Sequence, residues 1–231
     1  MLLTQALNRF RRRLPPRQDK EEWEFRWQRD TWAKDFARPE NQQKVLEYWR
    51  THRHLDEILD RVRPTAETRI LDVGCGISTV LHYLPGERFG VDPLAERYLE
   101  IYSYPADLRI MNAYAESLPF PDGDFDFVTC SNCIDHTEQP TQAIEEMRRV
   151  LQPDGWLLLT CEVHSKDRGT RNNGHPHTMT QRKFEELLSG WQIDSRWSSP
   201  WIGLSRYVRG EPPTAQTEMI VLAKPPLRSC R

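Results

Sequence analysis

Ile70-Leu71-Asp72-Val73-Gly74-Cys75-Gly76 reads as a buried strand that runs straight into a glycine turn. Apolar side chains carry the strand from Arg69 to Val73, and Asp72 stands as an acid at its end. Two glycines one residue apart let the backbone bend sharply and let a ligand approach it closely. Ser78 and Thr79 follow as N-cap candidates ahead of Val80, Leu81 and Leu84, so a helix is expected over 78–84. Strand, glycine turn and helix in this order form the nucleotide-side half of a doubly wound α/β sheet, whose ligands sit at the carboxyl ends of its strands.

A single Gly-x-Gly turn is weak, because tight turns use glycine without any ligand. The third glycine of the dinucleotide fingerprint is absent, with Ser78 near its place. The next strand adds weight. Arg88-Phe89-Gly90-Val91 ends in Asp92, where an acid is placed to accept hydrogen bonds from both hydroxyls of a ribose. The plainer alternative is that Asp92-Pro93 starts a turn and caps the following helix.

Further along, Ala115-Glu116-Ser117-Leu118-Pro119-Phe120, Phe125-Asp126-Phe127-Val128 and Leu151-Gln152-Pro153-Asp154-Gly155-Trp156 follow in order. With Ile70 to Gly76 and Val91-Asp92, this series resembles the class I S-adenosylmethionine-dependent methyltransferases of the small-molecule-like, type 11-like branch. The resemblance is close from Thr68 to Thr160 and looser to about Pro225. It implies a Rossmann-like, doubly wound seven-stranded sheet with its last strand antiparallel, and S-adenosylmethionine as cofactor. Asp72, Gly74, Cys75 and Gly76 match the positions near the amino acid end of that cofactor, Asp92 matches the ribose acid, and Pro93 and Leu94 line the adenine slot. Many relatives carry an acid where this chain has Tyr114; here the tyrosine hydroxyl or ring, the Ala115 N–H, Glu116 and the neighbouring Asn112 are the candidates for adenine contact. Ser131 and Asn132, after the fourth strand, fall beneath the sulfonium. His136 matches a recurrent histidine whose part is either structural or catalytic.

Strands are expected near 69–73, 88–92, 108–112, 125–130, 156–162, 192–197 and 217–224, with helices near 78–84, 94–101, 140–151 and 180–190. Pro140 opens the third of these, and Ala143, Ile144, Met147, Val150 and Leu151 share one face of it. Ahead of this domain, assigned to residues 64–231, a helical segment is expected over 1–63. Val45, Trp49, His52, Leu55, Leu59 and Val62 recur at helical spacing, so one helix is expected from Glu40 to Val62, ended by Pro64. Trp23, Phe25, Trp27, Trp32 and Phe36 crowd residues 20–38; they favour packing on the core, with a lid over a substrate as an added role. Residues 1–17 hold Leu2, Leu3, Leu7 and Phe10 with Arg11, Arg12 and Arg13 and no acid. They form either a frayed or docked terminus or a basic amphipathic helix for peripheral membrane contact.

The chain has 231 residues, enough for one α/β domain and an added segment. Mean hydropathy is −0.74 and no stretch reaches the ~20 apolar residues of a membrane span. Formal net charge is −2, which argues against general attraction to nucleic acid. Five cysteines, with Cys130 and Cys133 as the one C-x-x-C spacing, read as packed thiols of a cytoplasmic protein.

An oxygen nucleophile must lose its proton during methyl transfer, typically to a histidine or carboxylate. His136, Asp135, His164, His175 and His177 are the candidates, with His136 and His175 foremost. His175-x-His177 could share a metal ion, but no carboxylate completes that pattern, so no metal is assigned. Thr178 and Thr180 are expected to cap the next helix. The sequence therefore predicts methyl transfer to a small-molecule acceptor, at oxygen. The alternatives are a methyltransferase fold that binds without transferring, or one acting on RNA or protein. Ser131-Asn132-Cys133-Ile134 stands where an Asn/Asp-Pro-Pro-Tyr motif would mark an amide or adenine amino acceptor.

Overall fold

In the computed structural model, residues 17–226 are described, other than 35, 37 and 168–173; of Arg17 and Gln18 only the backbone is described. The expected basic amphipathic helix lies outside these residues, apart from Arg17, as do Asn172, Asn173 and Cys230.

The sheet strands are β1 (Arg69–Val73), β2 (Glu87–Asp92), β3 (Leu108–Asn112), β4 (Phe125–Ser131), β5 (Leu151–Val163), β6 (Gln192–Pro200) and β7 (Thr217–Lys224), in the spatial order β3-β2-β1-β4-β5-β7-β6. β1 pairs in parallel with both β2 and β4, so the chain reverses its direction of travel across the sheet between them. That switch point opens a crevice at the carboxyl end of β1. β7 alone is reversed, antiparallel to β5 and to β6. The expected sheet, with its last strand antiparallel, is thus the observed one.

The side-chain alternation of buried strands divides the core in two. Leu71, Leu157, Leu159, Val221 and Ala223 face one layer, where α5 (Pro140–Val150) and α6 (Gln181–Leu187) bring Ala143, Ile144, Met147 and Phe184. Ile70, Phe127, Leu158, Ile220 and Leu222 face the other. There they meet the N-terminal helices α1 (Arg17–Trp27), α2 (Pro39–His52) and α3 (Leu55–Val62), together with α4 (Ala95–Ile101) and a short α7 (Leu204–Val208). No described helix is long and apolar enough to cross a membrane.

Three expectations are corrected. The helix of 78–84 is a single 3-10 turn, Val80–Tyr83. Thr79 does cap it, accepting from the Leu81 N–H, but its hydroxyl is also tied to Asp72, and Leu84 leaves in an extended conformation. β5 begins at Leu151, not near 156: Leu151 pairs with Phe125, and a register shift leaves residues 152–155 out of the ladder before pairing resumes between Phe127 and Trp156. A Cβ on Gly155 would lie 2.9 Å from the Asp126 carbonyl oxygen, so that stretch requires glycine.

The third correction matters most. The helix read from Glu40 to Val62 is broken at Arg53 and His54, with His54 left-handed at φ 55°. The periodicity of Trp49, Leu55 and Leu59 carries across the break, so the pattern hides it. The break turns Arg53, 3% exposed, into the domain. Its guanidinium donates to Tyr48 Oη (3.0 Å), to Ser131 Oγ (2.5 Å) and to Thr160 Oγ1, and pairs with Glu218 at 2.7 Å. One side chain thereby fastens the N-terminal helices to β4, β5 and β7. Burial outweighs the guanidinium and pushes Glu218 up to about 7, so the pair is fully charged above that pH. At pH 8, Arg53→Met should cost about 3–5 kcal/mol in urea unfolding, because it strands a buried carboxylate. Adding Glu218→Leu should restore most of that loss. A double variant as unstable as the single one would show that the hydrogen bonds, and not the charge pair, carry the stability.

Candidate functional site

A cavity of about 520 Å³ opens at the switch point and is lined from every side of the crevice. Its floor is the glycine turn. Gly74 (φ 73°) and Gly76 (φ 52°) are both left-handed, and the N–H groups of Gly74 and Cys75 donate to the Val91 carbonyl at 2.8 and 3.1 Å. Glycine is needed at Gly74 for a second reason: a Cβ there would sit 2.0 Å from Cys133 Sγ.

Asp72 is 2% exposed, and its two oxygens accept from Thr79 Oγ1 and Thr129 Oγ1, each at 2.6 Å. It lines the cavity, yet its hydrogen bonds hold the turn against β4. Burial pushes it up to about 6 against those two hydrogen bonds. Asp92 is 8% exposed and accepts from the N–H groups of Gly76 (3.2 Å) and Leu94 (2.9 Å). Each oxygen keeps a lone pair for another donor. Burial pushes Asp92 up to about 7, with Glu24 adding to the rise. Pro93, Leu94, Ala113 and Ala115 give this end of the cavity an apolar wall.

The other expected residues divide. Tyr114 lines the cavity, but its hydroxyl donates to Glu21 Oε1 of α1 at 2.7 Å. Glu116 also reaches the cavity, and its carboxylate accepts from the N–H groups of Glu138 and Gln139 ahead of α5. Asn112 is exposed and does not line the cavity. Ser131 receives Arg53. Asn132 is left-handed (φ 51°), and its buried Oδ1 has no hydrogen-bond partner.

The roof is α1 and the π-helical turn that continues it, Gln28–Ala33. Lys20, Glu24 and Gln28, four residues apart, share the face that lines the cavity. Gln28 accepts from the Ile77 N–H at 3.3 Å and donates to Glu24 at 3.2 Å, while Lys20 donates to the His136 carbonyl. Part of the aromatic segment packs on the core, as expected. Phe25, Trp32 and Phe36 are buried in the core. Trp23 and Trp27 stack at 6.1 Å, and Trp23 presses on Gly174, where a Cβ would lie 2.2 Å from its ring. The stripe of Lys20, Glu24 and Gln28 was overlooked among the aromatics, although its spacing is legible. Tyr104, whose hydroxyl donates to the Gly76 carbonyl at 2.8 Å, carried no signal at all.

The histidines regroup. His164 lies near Glu162 (3.4 Å) and His177 binds the Glu138 carbonyl (3.1 Å); neither lines the cavity. Thr180 caps α6 through the Lys183 N–H, and the Thr178 carbonyl accepts from Lys183 Nζ. His175 enters the cavity and meets His136, with ring centroids 4.2 Å apart. The buried Asp135 stands beside them, its Oδ1 4.0 Å from His136 Nε2. The carboxylate missing from the local sequence pattern is thus supplied from another segment.

A family model described as a methyltransferase domain matches residues 71–159. An uncharacterized methyltransferase, YcgJ of Bacillus subtilis, is 29% identical over 68% of this chain and 70% of its own. The crystal structure of YcgJ superposes with a TM-score of 0.56 at 20% identity, over 76% of this chain and 99% of that one. A ubiquinone biosynthesis O-methyltransferase of Thiobacillus denitrificans is 29% identical over 44% of this chain and 47% of its own length. A structure of a SAM-dependent methyltransferase from Methanosarcina mazei superposes at 19% identity with a TM-score of 0.55, over 74% of this chain and 98% of that one.

The folded values of Asp72 and Asp92 lie above the ordinary carboxylate value of 3.8. The folded chain therefore binds extra protons between about pH 4 and 7, and the stability this confers is lost as pH rises through 6 to 7. The melting temperature of the ligand-free protein should fall across about pH 4 to 7, and fall less in Asp92→Asn. An identical slope in both proteins would remove Asp92 as a source.

Proposed function

We infer that this chain, a class I S-adenosylmethionine-dependent methyltransferase, moves the methyl group to an oxygen of a small-molecule acceptor held in the cavity. The observation that carries the reading is the His136–His175 pair, which shares one cavity with the glycine turn and Asp92.

The residues present fit the cofactor. The buried Asn132 Oδ1, which has no hydrogen-bond partner, suits an ammonium group. Asp92 suits ribose hydroxyls, and the wall of Pro93, Leu94 and Ala115 suits adenine. When bound, the cofactor supplies a methyl group on a positively charged sulfur, an already activated leaving group. The chain's part is to align the acceptor, to exclude water and to deal with the acceptor's proton. Trp23, Trp27, Trp49 and Trp201 wall the cavity against solvent. His136 and His175 are the ionisable groups set where that proton must leave.

Oxygen is favoured over nitrogen by this pair and by the Thiobacillus relative, named an O-methyltransferase. A small acceptor is favoured over RNA by the formal net charge of −2. A cytoplasmic setting is favoured by the free thiols Cys75, Cys130, Cys133 and Cys161.

Calorimetric titration with S-adenosylmethionine tests the site first. One-to-one binding is expected, tightening about tenfold from pH 6 to pH 8 as Asp92 ionises, and lost in Asp92→Ala. Binding that survives Asp92→Ala would overturn the ribose role. His136→Ala and His175→Ala should leave cofactor affinity unchanged. At least one of them should slow transfer of labelled methyl to hydroxylated acceptors by about 10²-fold or more and flatten its rise with pH. Two variants with wild-type pH profiles would remove the pair from the mechanism.

A further inference from the structure

We propose that Asp135, His136 and His175 form a divalent transition-metal site at the acceptor end of the cavity. The inference deepens the oxygen-acceptor reading and rests on it for its purpose, though not for the binding itself.

One ligand atom from each of the three side chains lies within 4.8 Å of the other two. Ligands on a shared ion, with bonds of roughly 2.0–2.2 Å, stand about 3.0–3.5 Å apart, so small side-chain rotations close the set. The residues come from two segments: Asp135 and His136 from the turn after β4, and His175 from the loop before α6. Two imidazoles and one carboxylate are the donor set of transition-metal sites that keep coordination positions open. The cluster borders the cavity, so those positions face the acceptor space.

The surroundings match what a ligating histidine needs. His136 Nε2 is the nitrogen nearer Asp135 Oδ1, at 4.0 Å. Its other nitrogen, Nδ1, faces Glu24 Oε2 at 3.6 Å. A carboxylate behind the second nitrogen fixes the tautomer and orients the ring toward a metal. His175 is held edge-on against Trp23, with ring centroids 5.8 Å apart. Asp135 is 1% exposed, which keeps one ligand in place while the open side faces the cavity.

Such an ion would do the work assigned to the histidine pair. A hydroxyl bound to it is more acidic, as water bound to zinc is. The proton goes to solvent, the oxygen keeps the electron pair that bonds the methyl carbon, and the bonding pair of the broken carbon–sulfur bond leaves on sulfur. His136 and His175 then act as ligands.

The test uses the full, untagged chain after dialysis against EDTA, titrated with Co²⁺ and followed by visible absorption and calorimetry, with no acceptor present. One-to-one saturation with ligand-field bands is expected. His175→Ala and Asp135→Asn should weaken it at least about tenfold, whereas His164→Ala and His177→Ala, outside the cavity, should not. Unchanged S-adenosylmethionine affinity in each variant checks the fold. Absence of saturable Co²⁺ binding, or binding untouched by His175→Ala, overturns the site. Oxygen methylation that persists at full rate in EDTA overturns the ion's role while sparing the oxygen reading. Methyl transfer to nitrogen alone overturns the oxygen reading and leaves the Co²⁺ result standing.

Discussion

The site depends on one buried carboxylate. Asp72 accepts a hydroxyl from Thr129 on the neighbouring strand and another from Thr79 at the far side of the glycine turn. These two bonds fix where the chain goes after β1, at the point where the sheet changes its direction of connection. They join the bonds from the Gly74, Cys75 and Gly76 amides to Val91 and Asp92 in holding the left-handed backbone of the turn. Burial raises the pKa of this acid, and the two hydroxyls that donate to it make the clamp a network of short hydrogen bonds.

From that clamp the cavity is completed by elements distant in sequence. The sheet provides the floor. The N-terminal helix and its π-helical turn provide the roof; such turns are frequent at functional sites, because they displace side chains from helical register. Here the displacement comes just after Gln28, which binds the glycine loop, and ahead of the buried Trp32. The segments after β4 and before α6 provide the histidine wall. Each contributes few residues, and the cavity exists only where all of them meet.

The sheet was legible because buried parallel strands leave short apolar runs ended by glycines and acids. The glycine turn, Asp92 and the strand after it stand where their local chemistry puts them. The break at Arg53 was illegible because helical periodicity runs on through it, and its cause is a partner on β7. The pairing of His136 with His175 was illegible for the same kind of reason: proximity along the chain favoured His175 with His177, while the fold turns His177 to the Glu138 carbonyl and leaves His175 to meet the turn after β4. Tyr114 shows the complementary case. Its position was read correctly, but its hydroxyl is bound by a helix whose docking no local pattern announces.

The insertion of β7 between β5 and β6 also sets a schedule for the chain during synthesis. The strand that carries Glu218 is the last of the seven to leave the ribosome, and until it arrives β5 and β6 have no common neighbour. Arg53, made early, has its hydroxyl partners on β4 and β5 well before its counter-charge. The buried ion pair of Arg53 therefore cannot be completed before β7 is made. Arrival of β7 at once joins the two halves of the sheet and supplies the anion that Arg53 pairs with.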